Sequence, residues 1–253
     1  MKNTTPFPEV YFGKKNADKK NNLPTKKELD KQIDRHKKKL VDFILQLPEN
    51  SNLLDAGCGV GKAIKLVTVY RPDINIYAID ITDMTDFIPE TAIFTVAGVE
   101  QVDEIFDENF FDAIICQHVI EHLIYPLDMM NAFKKVLKAD AMLFIETPNW
   151  VRGYIPWSRL YFWNDYTHVR LFSKKTFRRL CADYDFDIKK LQSGSMSGLQ
   201  SHNISYIWYV AKKNSTGFFD CLFKYIKYSL ISFYNSFMYD VLILVAKNNK
   251  KSK

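Results

Sequence analysis

Two periodicities of apolar positions alternate along most of this chain. Leu29, Ile33, His36, Leu40, Phe43, Ile44 and Leu47 recur at helical spacing and predict a helix from Thr25 that Pro48 ends. Asn52-Leu53-Leu54-Asp55 reads as a short buried strand running into a glycine cluster, and Gly61–Tyr70 as a helix stopped by Pro72. Ile74–Ile79 predicts a second strand ending at Asp80, and Ala92–Val96 a third. Phe111–Cys116, apolar apart from Asp112, has the continuous run of a parallel strand covered on both faces. Pro126 suits the first turn of a helix reaching Lys138, and Ala141–Glu146 is a fifth strand. Ser173 is placed to cap a helix over Lys174–Tyr184, with strands to follow at Phe186–Leu191 and Asp240–Ala246. This alternation predicts an α/β fold: a doubly wound, mostly parallel, seven-stranded sheet with right-handed crossovers.

Two stretches interrupt the pattern. Residues 147–172 are aromatic, loop-like and broken by Pro148 and Pro156. Residues 193–238 start Ser/Gly-rich and end in Phe218–Met238, where Phe219, Leu222, Ile226, Leu230, Phe233 and Phe237 share one helical face. Asp220, Lys224 and Lys227 within that stripe argue against a transmembrane span. The expected organisation is one domain over residues 28–246 carrying both insertions, with basic segments at 1–27 and 247–253. The first segment is expected to be poorly ordered.

The most specific chemistry lies in Leu53-Leu54-Asp55-Ala56-Gly57-Cys58-Gly59-Val60-Gly61-Lys62. A strand delivers the chain to a glycine turn, where backbone can approach a ligand closely, and the next helix presents unpaired N–H groups beside it. The second strand ends in Asp80, whose carboxylate is placed to accept from both hydroxyls of a ribose. A dinucleotide fingerprint needs glycine where this chain has Lys62. The pattern of Asp55, Gly57, Gly59 and Gly61 instead resembles the first motif of class I S-adenosylmethionine methyltransferases, and Asp80 resembles the acid after their second strand. Phe110–Leu123 with Pro126 looks like the fourth-strand segment of their small-molecule members, and Asp165–Ser173 like the segment before their penultimate strand. The resemblance covers residues 36–192 and 240–246, and the subgroup is similar to the ubiquinone-biosynthesis O-methyltransferases and their relatives in polysaccharide gene clusters. It implies a Rossmann-like fold and S-adenosyl-L-methionine as cofactor, held by Asp55, Gly57, Gly59, Gly61, Asp80 and Gln117. Many relatives carry Gly-Asp after the third strand. This chain has Gly98-Val99-Glu100, which leaves Glu100 as the substitute for the adenine contact.

Composition narrows the setting. The 253 residues are 47% apolar and 25% charged, the profile of a folded protein with a sizeable core. The net charge of +6 sits at the ends: residues 1–40 hold 12 Lys/Arg against 5 Asp/Glu, and residues 247–253 hold 4 Lys and no acid. Such ends can attract phosphate or anionic lipid. Their lysine runs lack interleaved aromatics, so nucleic acid is not the expected partner. Cys58, Cys116, Cys181 and Cys221 form no CxxC pair, which predicts free thiols in a reducing compartment. With no apolar h-region in the first residues, the expected location is the cytoplasm, with peripheral membrane association open.

Methyl transfer from a sulfonium mainly needs an acceptor held in line, and a hydroxyl acceptor profits from a general base. His118, His122 and His168 are the candidates. His118-x-x-Glu121-His122, helical, would turn all three side chains to the donor side. The same spacing allows a metal reading with His168 as a further ligand, and a reading in which these groups only shape the pocket; no metal is expected. Trp150, Tyr154, Trp157, Tyr161, Phe162, Trp163 and Tyr166 are expected to form a lid suited to a sugar ring or an apolar chain. The expected activity is methylation of a hydroxyl on a small-molecule or glycan-type acceptor. A catalytically silent methyltransferase-like binding module and an RNA methyltransferase recruited by its basic ends are the rivals.

Overall fold

The computed structural model describes residues 23–32, 35–154, 162–194, 212–213, 215–217, 219–226 and 241–250. The helical stretches α1 (Lys26–Gln32) and α2 (Arg35–Ile44) lie where the sequence predicts one helix, and residues 33–34 between them lie outside the described residues. Thr25 and Glu28 cap α1 reciprocally. The Glu28 N–H donates to Thr25 Oγ1 at 3.3 Å, and the Thr25 N–H donates to Glu28 Oε2 at 2.7 Å. The predicted alternation follows: β1 (Asn52–Ala56), α3 (Lys62–Tyr70), β2 (Asn75–Asp80), β3 (Ala92–Val96), α4 (Val102–Ile105), β4 (Phe111–Gln117), α5 (Pro126–Val136) and β5 (Leu137–Pro148). Then come α6 (Lys174–Asp183), β6 (Phe186–Gly194) and β7 (Val241–Asn248). Ser173 does cap α6, its hydroxyl accepting from the Thr176 N–H at 3.1 Å.

The seven strands form one sheet in the order β3-β2-β1-β4-β5-β7-β6. Strands β1 to β5 pair in parallel, and β7 runs antiparallel to β5 and β6. Both faces are covered, which is why β4 reads as an unbroken apolar run. Ala113 and Ile115 pack with Leu53, Phe144 and Ile243 under α1, α2 and α3. Ile114 and Cys116 pack with Leu54, Ile145 and Leu242 under α4, α5 and α6. Each fully buried Leu or Ile contributes roughly 1.5–3 kcal/mol, so truncating Ile114 to Ala would cost about 2–5 kcal/mol. Asp112, the one polar residue of the run, sits at the strand's entry. It accepts from the Asn52 N–H at 2.9 Å and from Lys138 Nζ at 2.8 Å. The four cysteines are buried and carry free thiols.

The parallel strands end together at Ala56, Asp80, Gln117 and Pro148. Strand order reverses between β1 and β4, where crossovers leave in opposite directions and open a crevice at these carboxyl ends. No helix among the described residues is long and apolar enough to cross a membrane.

Candidate active site

The crevice is floored by the glycine turn. Gly57, Gly59 and Gly61 all have positive φ, at 78°, 50° and 70°. Gly57 is fixed twice over, because a Cβ there would lie 2.2 Å from Val119 Cγ2. The Gly57 and Cys58 N–H groups both donate to the Ile79 carbonyl, at 2.9 and 3.0 Å, seating the turn on the end of β2. Asp80 completes the joint: Oδ2 accepts from the Gly59 N–H and Oδ1 from the Thr82 N–H, each at 2.9 Å.

Asp55 is the electrostatic anomaly of the site. Its side chain is buried, and Oδ2 has no hydrogen-bond partner. Burial first, then the nearby Asp80 charge, pushes its carboxyl up to about 7. A buried carboxylate oxygen lacking a donor is costly unless something cationic or hydrogen-bonding meets it. That orphaned acceptor and the Cβ-free turn fit a ligand with a polar, positively charged end, as S-adenosylmethionine has. Gln117, half-buried, closes β4 in register with Glu146. Glu100 lies in a 3₁₀ turn (Val99–Gln101) with its carboxylate folded against Gly98.

Beyond β4 the structure departs from the predicted helix. Only Ile120–His122 forms a 3₁₀ turn, and His118 sits at the strand end with φ at 54°, a conformation uncommon outside glycine. His118, Glu121 and His122 therefore do not share one helical face. The left-handed step aims His118 between two carboxylates, with Nδ1 3.3 Å from Glu121 Oε1 and Nε2 3.0 Å from Glu146 Oε1. Its own N–H donates to the Glu146 carbonyl at 2.8 Å. Burial by itself would lower the His118 pKa, but the two carboxylates raise it to about 10. Glu121 answers in kind: burial would raise it, yet the His118 imidazolium holds it below the usual carboxylate range. Thr147 Oγ1 donates to Glu121 Oε2 at 2.9 Å. Glu146 and Thr147 escaped the sequence reading, although an acid closing the otherwise apolar strand AMLFIE was visible there.

His122 and His168 meet across the crevice, their ring centroids 4.8 Å apart. His122 Nδ1 lies 3.2 Å from the Thr167 carbonyl and 3.0 Å from its hydroxyl. Burial is the largest influence on His122 and lowers its pKa. His168 Nδ1 donates to the Phe162 carbonyl at 2.7 Å, and its ring stacks on Phe162 at 4.3 Å. Glu121, His122 and His168 each offer an atom within 4.8 Å of the others. The Glu121 carbonyl accepts from Val169 and Arg170 N–H groups at 3.0 and 3.2 Å, tying this loop to the turn after β4. Of the aromatic insertion, Trp150, Tyr154, Trp163 and Tyr166 are exposed and Phe162 is buried. Trp157 and Tyr161 lie outside the described residues.

A doubly wound sheet with a glycine turn and a following acid at its switch point defines a nucleoside-cofactor-binding protein. The comparisons with known proteins narrow the class. A family described as a methyltransferase domain matches residues 29–191. A ubiquinone biosynthesis O-methyltransferase of Actinobacillus pleuropneumoniae is 31% identical over 123 residues, covering 43% of this chain and 52% of that protein. A tRNA U34 carboxymethyltransferase of Pseudoalteromonas atlantica is 30% identical over 112 residues, covering 41% of this chain and 33% of that protein. The chain thus spans about half the length of the first of these relatives and a third of the second. A crystal structure of a SAM-dependent methyltransferase from Archaeoglobus fulgidus superposes with a TM-score of 0.59 at 17% identity, covering 84% of this chain and 92% of that one. The chain belongs to the class I S-adenosylmethionine-dependent methyltransferases, whose cofactor is S-adenosylmethionine.

Proposed function

We propose that the protein transfers a methyl group to a hydroxyl of a small-molecule or glycan-type acceptor, with His122 as general base. The observation that carries this reading is the state of His122. It is a half-buried imidazole with a lowered pKa, oriented through Nδ1 by Thr167, at the mouth of the crevice. A neutral imidazole anchored at Nδ1 keeps Nε2 as the proton acceptor. His168, stacked on Phe162, walls the same pocket, and His118 serves as a fixed cation between Glu121 and Glu146 rather than as a base.

For the cofactor, Asp80 is the ribose ligand, and Asp55 with Gly57, Gly59 and Gly61 receives the amino-acid end. Gln117 and Glu100 flank the base. S-adenosylmethionine supplies a methyl group on a sulfonium, which leaves as a neutral thioether and needs no acid. The protein's own part is to hold the acceptor oxygen, keep water out beneath the aromatic insertion, and take the hydroxyl proton at His122 Nε2 as the oxygen–methyl bond forms.

The test is transfer of a labelled methyl group to a panel of phenolic, sugar and tRNA acceptors by wild type and His122→Asn. A hydroxyl product from a phenol or sugar, reduced by about 10²–10⁴-fold in the variant, supports the reading. Methylation of tRNA alone, or an unaltered variant rate, overturns it.

A further inference from the structure

The insertion between β6 and β7 carries a helix over 219–226 whose amphipathicity is turned outwards. At about 100° per residue, Phe219, Leu222, Phe223 and Ile226 fall on one stripe, and all four are exposed, Phe219 to 83%. Cys221, on the other side, is buried. The helix is well begun, with the Thr216 N–H donating to Asp220 Oδ2 at 3.1 Å and the Cys221 N–H to the Gly217 carbonyl at 2.9 Å. An ordinary surface helix hides such a stripe, and a contiguous exposed apolar strip marks an interaction site.

Charge and position identify what it meets. Lys212 and Lys213 are exposed just before the helix, and Lys224 pairs with Asp220 on its flank at 2.7 Å. The insertion leaves the sheet at Gly194 and returns at Val241, two residues paired with each other, and Val241 pairs with Pro148 at the end of β5. The insertion therefore joins the sheet at the end that carries the crevice. The loop after β5 presents exposed Trp150, Tyr154, Trp163 and Tyr166. Trp and Tyr with flanking lysines are the residues that settle at the headgroup level of a bilayer.

We infer that helix 219–226 docks on an anionic lipid bilayer, lying in the interface with Phe219 and Phe223 inserted among the headgroups. The inference concerns binding and stands apart from the methyl-transfer reading, so it is tested without turnover. Purified full-length protein is floated with phosphatidylcholine vesicles with and without phosphatidylglycerol. Wild type is expected to float with the anionic vesicles at least about tenfold more than with the neutral ones. The pair Phe219→Ser/Phe223→Ser should abolish flotation, and Lys212→Glu/Lys213→Glu should abolish the anionic preference, both with unchanged thermal melting because the positions are exposed. Wild type that floats with neither vesicle overturns the inference, as does a serine variant that floats like wild type. Sedimentation equilibrium distinguishes the remaining occupant. A dimer dissolved by the serine pair, with no vesicle binding, would assign the stripe to a second copy of this chain.

Discussion

Asp55→Asn tests whether the crevice is built against its own stability. Asp55 is buried, Oδ2 has no partner, and its carboxyl is raised from 3.8 to about 7. About three pK units at 1.36 kcal/mol each put the cost of ionising it in the ligand-free fold at about 4 kcal/mol. The raised folded pKa makes the folded state bind more protons. The stability associated with protonated Asp55 is thus fully present below 3.8 and is lost as pH rises through about 7. Asparagine removes the ionisation at nearly constant shape. At pH 8 the variant should be more stable than wild type by roughly 2–4 kcal/mol, and near pH 4 the two should be equal within roughly 0.5 kcal/mol. Urea melts at several pH values measure the difference directly. S-adenosylhomocysteine, whose ammonium would meet the carboxylate, should raise the melting temperature of wild type more than that of the variant at pH 8. A variant less stable than wild type at pH 8, or a stability gain independent of pH, would refute the assignment of Asp55 as an uncompensated acid awaiting a cationic group.

Three further outcomes follow from the geometry. Gly57→Ala should destabilise the protein by about 2–4 kcal/mol, from left-handed strain and overlap with Val119; adding Val119→Ala should recover part of this in thermal melts, and no recovery would remove the clash as the cause. Thr147→Val leaves the buried Glu121 short of one donor and should cost about 1.5–3 kcal/mol in denaturant unfolding, whereas a neutral effect would mean the bond contributes nothing. Because the base must be neutral and burial lowers the His122 pKa below 6.5, kcat/KM should rise with pH through an apparent value under 6.5 and stay level above it; a midpoint above 6.5 would exclude His122 in that role.

The glycine turn and Asp80 are legible in the sequence because their causes are local. Positive φ at three positions selects glycine, and a parallel strand must stop where its acid meets the turn. The seven strands are equally legible, since β1 and β4 are covered on both faces and show it as apolar runs. The His118 clamp is not legible. It depends on a left-handed step at a non-glycine residue and on Glu146, 28 positions away, arriving beside it only through β4–β5 pairing. Helical spacing over His118, Glu121 and His122 misled for the same reason, because the chain turns sharply after β4 instead of continuing as a helix. His168 carries no signal of its own: its place is set by the Phe162 carbonyl and ring. Phe218–Met238 shows its stripe in the sequence, but periodicity cannot say which way a stripe faces. Leu230, Phe233 and Phe237 of that stripe lie outside the described residues.

We propose that the turn at Asp55–Gly61 and Asp80 form the cofactor site. Calorimetric titration of the purified protein with S-adenosylhomocysteine tests it most directly, with Asp80→Ala alongside. Saturable binding at one site is expected in wild type, weakened in the variant by about 1.5–3 kcal/mol, roughly ten- to 150-fold in Kd. No binding by a folded wild type, or equal affinity in the two proteins, would contradict the account.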